Sequence, residues 1–136
     1  MKEKSKPISV YVIDDEPLDN MIVKMLIKRV DTDINVNTLS DGQKAIDQLE
    51  LLSETEPDCL PDYIFLDINM PGMDGWQFLK AYAGLKIGKM KRIVIYVISS
   101  SIDCNDITMS RANPLVADFI NKPLNVENLR TILRAA

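Results

Sequence analysis

The sequence predicts an α/β protein, a doubly wound parallel sheet of five strands with five helices, stacked as a three-layer sandwich. Three observations carry that expectation. Short strand-like runs alternate with helix-period patterns from one end of the chain to the other, the signature of strand–helix–strand units with right-handed crossovers. Three of the runs are nearly continuous in Val, Ile and aromatic residues, as strands buried on both faces require. And 136 residues, 46% of them hydrophobic, are enough to bury one sizeable core but not two.

In chain order, Ile8 to Ile13 is the first buried strand, and it stops at Asp14-Asp15-Glu16. Pro17 then stands where a first helical residue lacks an N–H partner anyway, so the spacing predicts a helix with Leu18, Ile22, Met25, Leu26 and Val30 as its core face. Ile34 to Leu39 is less uniformly apolar and is placed nearer an edge. Asp41 precedes a second helix carrying Ala45, Ile46, Leu49 and Leu52. Ser53 to Asp62, with two prolines and no periodicity, reads as a surface loop. Tyr63 to Leu66 is the most central-looking strand, and it runs into Asp67-Ile68-Asn69-Met70-Pro71-Gly72-Met73-Asp74-Gly75. In that loop the glycines and proline let backbone come close to a site, and Asp74 suits a helix start. A third helix begins near Trp76 with Phe78, Leu79 and Tyr82 apolar, and Ile93 to Ile98 is the fourth strand, followed by Ser99-Ser100-Ser101. A helix over 103–112, opened by Asp103, precedes a fifth strand over Val116 to Ile120. Lys122-Pro123 and a last helix with Val126, Leu129, Ile132 and Leu133 complete the pattern, which contains no internal repeat.

Composition excludes several classes of function. Sixteen basic against twenty acidic residues leave a net charge of −4, so no general field holds a nucleic acid. There is no histidine, which removes imidazole as base, nucleophile or metal ligand. Cys59 and Cys104 are too few for a disulfide framework or a cysteine-rich zinc site, and a reducing, cytoplasmic setting is the expectation. The charged start Met1 to Pro7 leads into an apolar run too short for a signal peptide or a membrane span.

In an open α/β sheet, ligands bind beyond the carboxyl ends of the strands. Those ends here supply Asp14, Asp15, Asp67, Ser99 and Lys122. Converging carboxylates raise one another's pKa unless a cation compensates. A donor set of hard oxygens without His or Cys selects Mg²⁺. Three aspartates, one lysine and one divalent ion sum to a neutral site able to admit a phosphoryl group, and Asp67 is the candidate nucleophile for an aspartyl phosphate. Ser99 and Lys122 are candidates to bind phosphoryl oxygens. Taken singly, each residue has a plain structural reading, as a helix cap, a polar turn or a solvated lysine. Their placement at successive strand ends favours a site.

On these residues the sequence resembles a response-regulator receiver domain of two-component signalling. The resemblance is to single-domain, chemotaxis-receiver-like members and covers residues 7–135, leaving 1–6 as a tail. It rests on the acidic pair Asp14-Asp15, on Asp67 with its Met70-Pro71-Gly72-Met73-Asp74-Gly75 trailer, on Ser99 and Phe119, and on Lys122-Pro123. It implies a flavodoxin-like sheet of order 2-1-3-4-5. It implies Mg²⁺ held directly by Asp15 and Asp67, by the Asn69 backbone carbonyl, and by Asp14 largely through water. Asp67 becomes the phosphoacceptor, Ser99 and Phe119 the switch pair, and Lys122-Pro123 a cis peptide. Ser99 stands where threonine is more frequent and Phe119 where tyrosine is, and neither change removes a needed group. The only chemistry implied is the chain's own phosphorylation and dephosphorylation. The implied donor is a histidine kinase or histidine phosphotransfer protein. The chain stops just after the fifth helix, so output is expected through contact with a downstream protein, at a face that includes Asn105, Thr108, Arg111, Asp118 and Phe119. No direct contact with nucleic acid or membrane is expected, and the chain is expected to be a monomer or weak dimer. Two other readings fit less well, and a third fits equally. A flavodoxin-type electron carrier would want hydroxyls and glycines where Asp14-Asp15-Glu16 stands. A Mg²⁺-dependent phosphatase would want a second acid/base and a substrate cap. A receiver excised from a hybrid kinase would look the same.

Overall fold

The computed structural model describes residues 7–100 and 103–134. The tail assigned to residues 1–6, and Ser101 of the serine run, lie outside the described residues. Strands β1 (Ser9–Ile13), β2 (Asn35–Leu39), β3 (Tyr63–Asp67), β4 (Val94–Ser99) and β5 (Val116–Asn121) form one sheet in the order β2-β1-β3-β4-β5. Every pairing is parallel. Helices α1 (Pro17–Val30), α2 (Gly42–Thr55), α3 (Gly75–Gly84), α4 (Cys104–Ala112) and α5 (Val126–Arg134) form the crossovers and the closing layer. The expected fold class and strand order are those observed.

Strand composition follows position in the sheet. All five residues of β3 are buried, whereas β2 at the edge leaves Asn35, Asn37 and Thr38 exposed. Alternation along β1 and β3 then divides the core in two. Tyr11, Ile13, Ile64 and Leu66 pack with Ala45, Ile46 and Leu49 of α2 and with Phe78, Leu79 and Tyr82 of α3. Val10, Val12, Tyr63 and Phe65 pack on the opposite face with Val23 and Ile27 of α1 and Leu129 and Leu133 of α5. Removing one such fully buried Leu or Ile to Ala costs about 2–5 kcal/mol, so each layer is strongly specified.

Helix starts behave as the side chains dictate. Asp41 accepts the N–H groups of Gln43 and Lys44, Asp103 accepts that of Asn105, and Asp74 forms a full capping box with Gln77. Glu16 caps α1 without a side-chain bond, and Pro17 supplies the start.

Two expectations need correction. Leu18, Ile22 and Met25 do not face the core: with Met21 they are 41–63% exposed, and the buried side of α1 is Asn20, Val23 and Ile27, flanked by Leu26 and Val30. Apolar residues run along two stripes of this helix, and periodicity alone cannot choose between them. The deciding feature is a polar residue, because Asn20 fills its buried place by bonding main-chain carbonyls. The segment 53–62 is likewise not simply loop. Helix α2 continues to Thr55, Pro57–Cys59 forms a 3₁₀ turn, and Leu60 is 1% exposed beneath it. Ser53 and Thr55 each return a hydroxyl to a carbonyl of the preceding turn, so their polar groups are satisfied within the helix.

Candidate functional site

The chain reverses direction across the sheet between β1 and β3, since β2 lies on one side of β1 and β3 to β5 on the other. That is the crevice where α/β sheets take ligands. Asp14 follows the last residue of β1, Asp67 and Ser99 end β3 and β4, and Lys122 follows β5. All four therefore stand at one edge, as the sequence reading places them. The first strand end is pinned by Asp14 N–H donating to the Leu39 carbonyl of β2 (3.0 Å) and by Glu16 N–H donating to Asp14 Oδ1 (3.0 Å). The last is pinned by Lys122 N–H donating to the Ser99 carbonyl (2.8 Å).

The side chains gather in a buried, strongly charged cluster. Asp14 is 0% and Asp67 5% exposed, while Asp15 is half-buried. One oxygen from each of Asp14, Asp15 and Asp67 lies within 4.8 Å of the others. The Lys122 ammonium lies 2.6 Å from Asp14 Oδ2, 3.0 Å from Asp19 Oδ2 and 4.0 Å from Asp67 Oδ1. Asn69 bridges the second pair of strand ends: its N–H donates to Asp67 Oδ1 (3.3 Å) and its Nδ2 donates to Ser99 Oγ (3.2 Å). Ser99 is fully buried, and Phe119 is half-buried, packed against the α2/α3 side of the core.

Electrostatics follow from that crowding. Burial, and then the neighbouring Asp14 carboxylate, push the Asp67 carboxyl up to about 7, against the opposing pulls of Lys122 and the Asn69 N–H. For Lys122, burial alone would favour the neutral amine. The hydrogen bonds to Asp14 and Asp19, helped by the charges of Asp67 and Asp14, outweigh it and hold the ammonium above its ordinary value.

These residues fit a hard divalent cation. The three carboxylates each bring an oxygen within 4.8 Å of the others, and burial together with the Asp14 charge raises the Asp67 carboxyl, a set of hard, crowded donors that a divalent ion would relieve. The neutral sum expected from the sequence needs one change, because Asp19 contributes a further carboxylate. With it, the four aspartates and Lys122 carry −3, and a divalent ion leaves −1.

The loop after Asp67 is shaped for close approach. A side chain on Gly75 would place its Cβ 2.6 Å from the Ile68 Cα, closer than atoms tolerate, so only glycine lets α3 begin against the strand end. Gly72 adopts φ +77°, and the Lys122-Pro123 peptide is cis.

Sequence reasoning missed two participants, Asp19 and Asn20. Asp19 looks like an ordinary acidic residue in a first helical turn. Asn20 donates to the Asp14 carbonyl (2.8 Å) and looks in sequence like a polar interruption of an apolar face. The one signal available was that both lie within six residues of Asp14.

The doubly wound sheet thus gathers three aspartates, a hydroxyl and a lysine at the ends of β1, β3, β4 and β5, an acidic, lysine-paired cluster at the point where strand order reverses. Residues 10–134 match the model of the response regulator receiver domain, and the chain belongs to that family. It is 29% identical over 131 residues to the transcriptional regulatory protein TrcR of Mycobacterium tuberculosis, covering 94% of this chain but only 44% of that protein. Among solved structures it resembles a two-component response regulator from Cytophaga hutchinsonii, with TM-score 0.83 and 26% identity over 97% of this chain and 100% of that one. A response regulator receiver protein from Dyadobacter fermentans gives TM-score 0.80 and 29% identity over 94% of this chain and 96% of that one. Residues 10–134 thus form a receiver domain of two-component signalling, a family of switches that accept a phosphoryl group on an aspartate and work with histidine kinases and phosphotransfer proteins. No helix among the described residues is long and apolar enough to cross a membrane.

Proposed function

We propose that Asp67 is the phosphoacceptor and that residues 7–135 act as one switch domain in the cytoplasm, its only chemistry being its own phosphorylation and dephosphorylation. The donor is a phosphohistidine on a histidine kinase or phosphotransfer protein. The carrying observation is Asp67 itself: the last residue of β3, 5% exposed, its carboxyl raised to about 7 beside Asp14 and within 4.0 Å of a lysine. As an oxygen–phosphorus bond forms at Asp67, the nitrogen–phosphorus bond of the donor's phosphoimidazole breaks. Asp14, Asp15, Asp67 and the Asn69 carbonyl would hold Mg²⁺. When bound, that ion supplies the positive charge that keeps Asp67 ionised and offsets the incoming phosphoryl oxygens.

Two surfaces serve the two partners. Leu18, Met21, Ile22 and Met25 form an exposed apolar face on α1, whose first turn carries Asp19 of the site, and the donor docks there. Ser99 and Phe119 relay the phosphorylated state to α4, β5 and α5, where Asn105, Thr108, Arg111 and Asp118 are exposed to a downstream protein. Phe119 has no hydroxyl to desolvate, so its inward rotamer is populated at low cost. A shift of this two-state element needs only a few kcal/mol of differential interaction, which one or two charge-assisted hydrogen bonds supply.

Amide spectra with and without beryllofluoride and Mg²⁺ test this reading. Shifts should reach from Asp15 and Asp67 through residues 103–122. Changes confined to the strand ends would refute the relay.

A further inference from the structure

The Lys122 ammonium has two close carboxylate partners, and they are unequal. Asp14 is fully buried, its other oxygen is occupied by the Glu16 N–H, and it cannot turn away without stranding a charge. Asp19 is the exchangeable partner: its side chain is 39% exposed, so solvent can take over its charge. Its position is nonetheless set. Pro17 starts the helix two residues earlier, and the next residue, Asn20, is 6% exposed and donates to the Asp14 carbonyl. The result is an ammonium held on the α1 side of the site, 3.0 Å from Asp19 and 4.0 Å from Asp67, the latter beyond hydrogen-bond reach.

We propose that Asp19 is a positioning residue that tethers Lys122 away from Asp67 and competes with an anion on Asp67 for the ammonium. The proposal rests on the reading of Asp67 as acceptor and adds to it a determinant of how tightly the phosphoryl group is held. For Lys122 to close on an oxygen of that group, the Asp19 bond is the one given up, because the Asp14 bond is buried and the shorter of the two. Asp19 also adds negative charge next to an anion site, so the tether and the local field act in the same direction. Only the tether depends on Lys122.

The test is a beryllofluoride titration of the full chain at saturating Mg²⁺, followed by amide shifts. It compares the native chain with Asp19→Asn and Asp19→Glu, and with Lys122→Met alone and combined with Asp19→Asn. Asp19→Asn should bind about two- to fivefold more tightly, the range expected for one partly exposed ion pair, and Asp19→Glu should stay near native. In the Lys122→Met background the gain should vanish. Equal or weaker binding by Asp19→Asn overturns the proposal, and so does a gain that survives without Lys122, which would assign the effect to local charge alone. A second readout does not require anion binding. The side-chain ammonium resonance of Lys122 in the metal-free chain should move in Asp19→Asn, and an unmoved resonance overturns the tether. If the native chain itself shows no shifts centred on Asp67 with beryllofluoride, the acceptor reading falls and this proposal falls with it. Normal native binding with an indifferent Asp19 overturns only the tether.

Discussion

Replacing Asp67 by Asn should stabilise the metal-free protein, and by an amount that depends on pH in a defined way. The native carboxyl is raised from 3.8 to about 7 by burial and by Asp14. A raised acid binds its proton more tightly when folded than when unfolded, so between those two values stability falls as pH rises. Below 3.8 Asp67 is neutral in both states and costs nothing. Above 7 it is ionised in both, and the full penalty is present. Each pKa unit is worth about 1.4 kcal/mol, which puts the penalty on the order of 4 kcal/mol at alkaline pH. Asparagine is nearly isosteric and uncharged, and it still offers an oxygen to the Asn69 N–H. Urea unfolding in EDTA, followed by the single tryptophan, should show Asp67→Asn more stable than the native chain by a few kcal/mol at pH 8. The advantage should shrink toward zero near pH 4, as the folded Asp67 takes up its proton. Mg²⁺ should narrow the gap at pH 8, because it stabilises the native site far more than the variant's. A variant less stable than native at pH 8, or a difference that does not change with pH, would refute the reasoning that Asp67 is held ionised against its surroundings.

Other outcomes follow from the same geometry. Gly75→Ala should destabilise by about 1–3 kcal/mol in denaturant unfolding, because its Cβ meets the Ile68 Cα and the start of α3 has to shift. Lys122→Met should leave Asp14 buried without its cation and lower stability in EDTA at neutral pH by about 3 kcal/mol, with much of the loss restored by Mg²⁺. The same variant should still accept a phosphoryl group slowly, yet its amide shifts should stop at the strand ends. Asp15→Ala should weaken Mg²⁺ binding in calorimetric titration more than Asp14→Ala, since Asp14 already spends its oxygens on Lys122 and the Glu16 N–H. Equal losses would contradict that order.

The sheet was legible because each strand announces its depth. The continuous run Tyr63-Ile64-Phe65-Leu66 has no polar face to expose, and Asn35, Asn37 and Thr38 mark an edge. The strand-end residues were legible for a related reason: parallel order brings Asp14, Asp67, Ser99 and Lys122 to one edge whatever the side-chain details. What could not be read was a choice between equivalents. Helix α1 has two apolar stripes, and a buried asparagine bonded to the Asp14 carbonyl decides between them, an interaction with no signature in hydropathy. Asp19 was hidden similarly, because its partner Lys122 is 103 residues away. In segment 53–62 two prolines suggested a loop, yet the first opens a 3₁₀ turn and Leu60 between them is core.

Incubation of the metal-loaded chain with acetyl phosphate, followed by intact mass and by mapping of the modified residue, tests the central claim most directly. The account predicts a single added phosphoryl group, on Asp67, dependent on Mg²⁺ and absent from Asp67→Asn. No adduct in the presence of Mg²⁺, or an adduct that persists at full stoichiometry in Asp67→Asn, would contradict it.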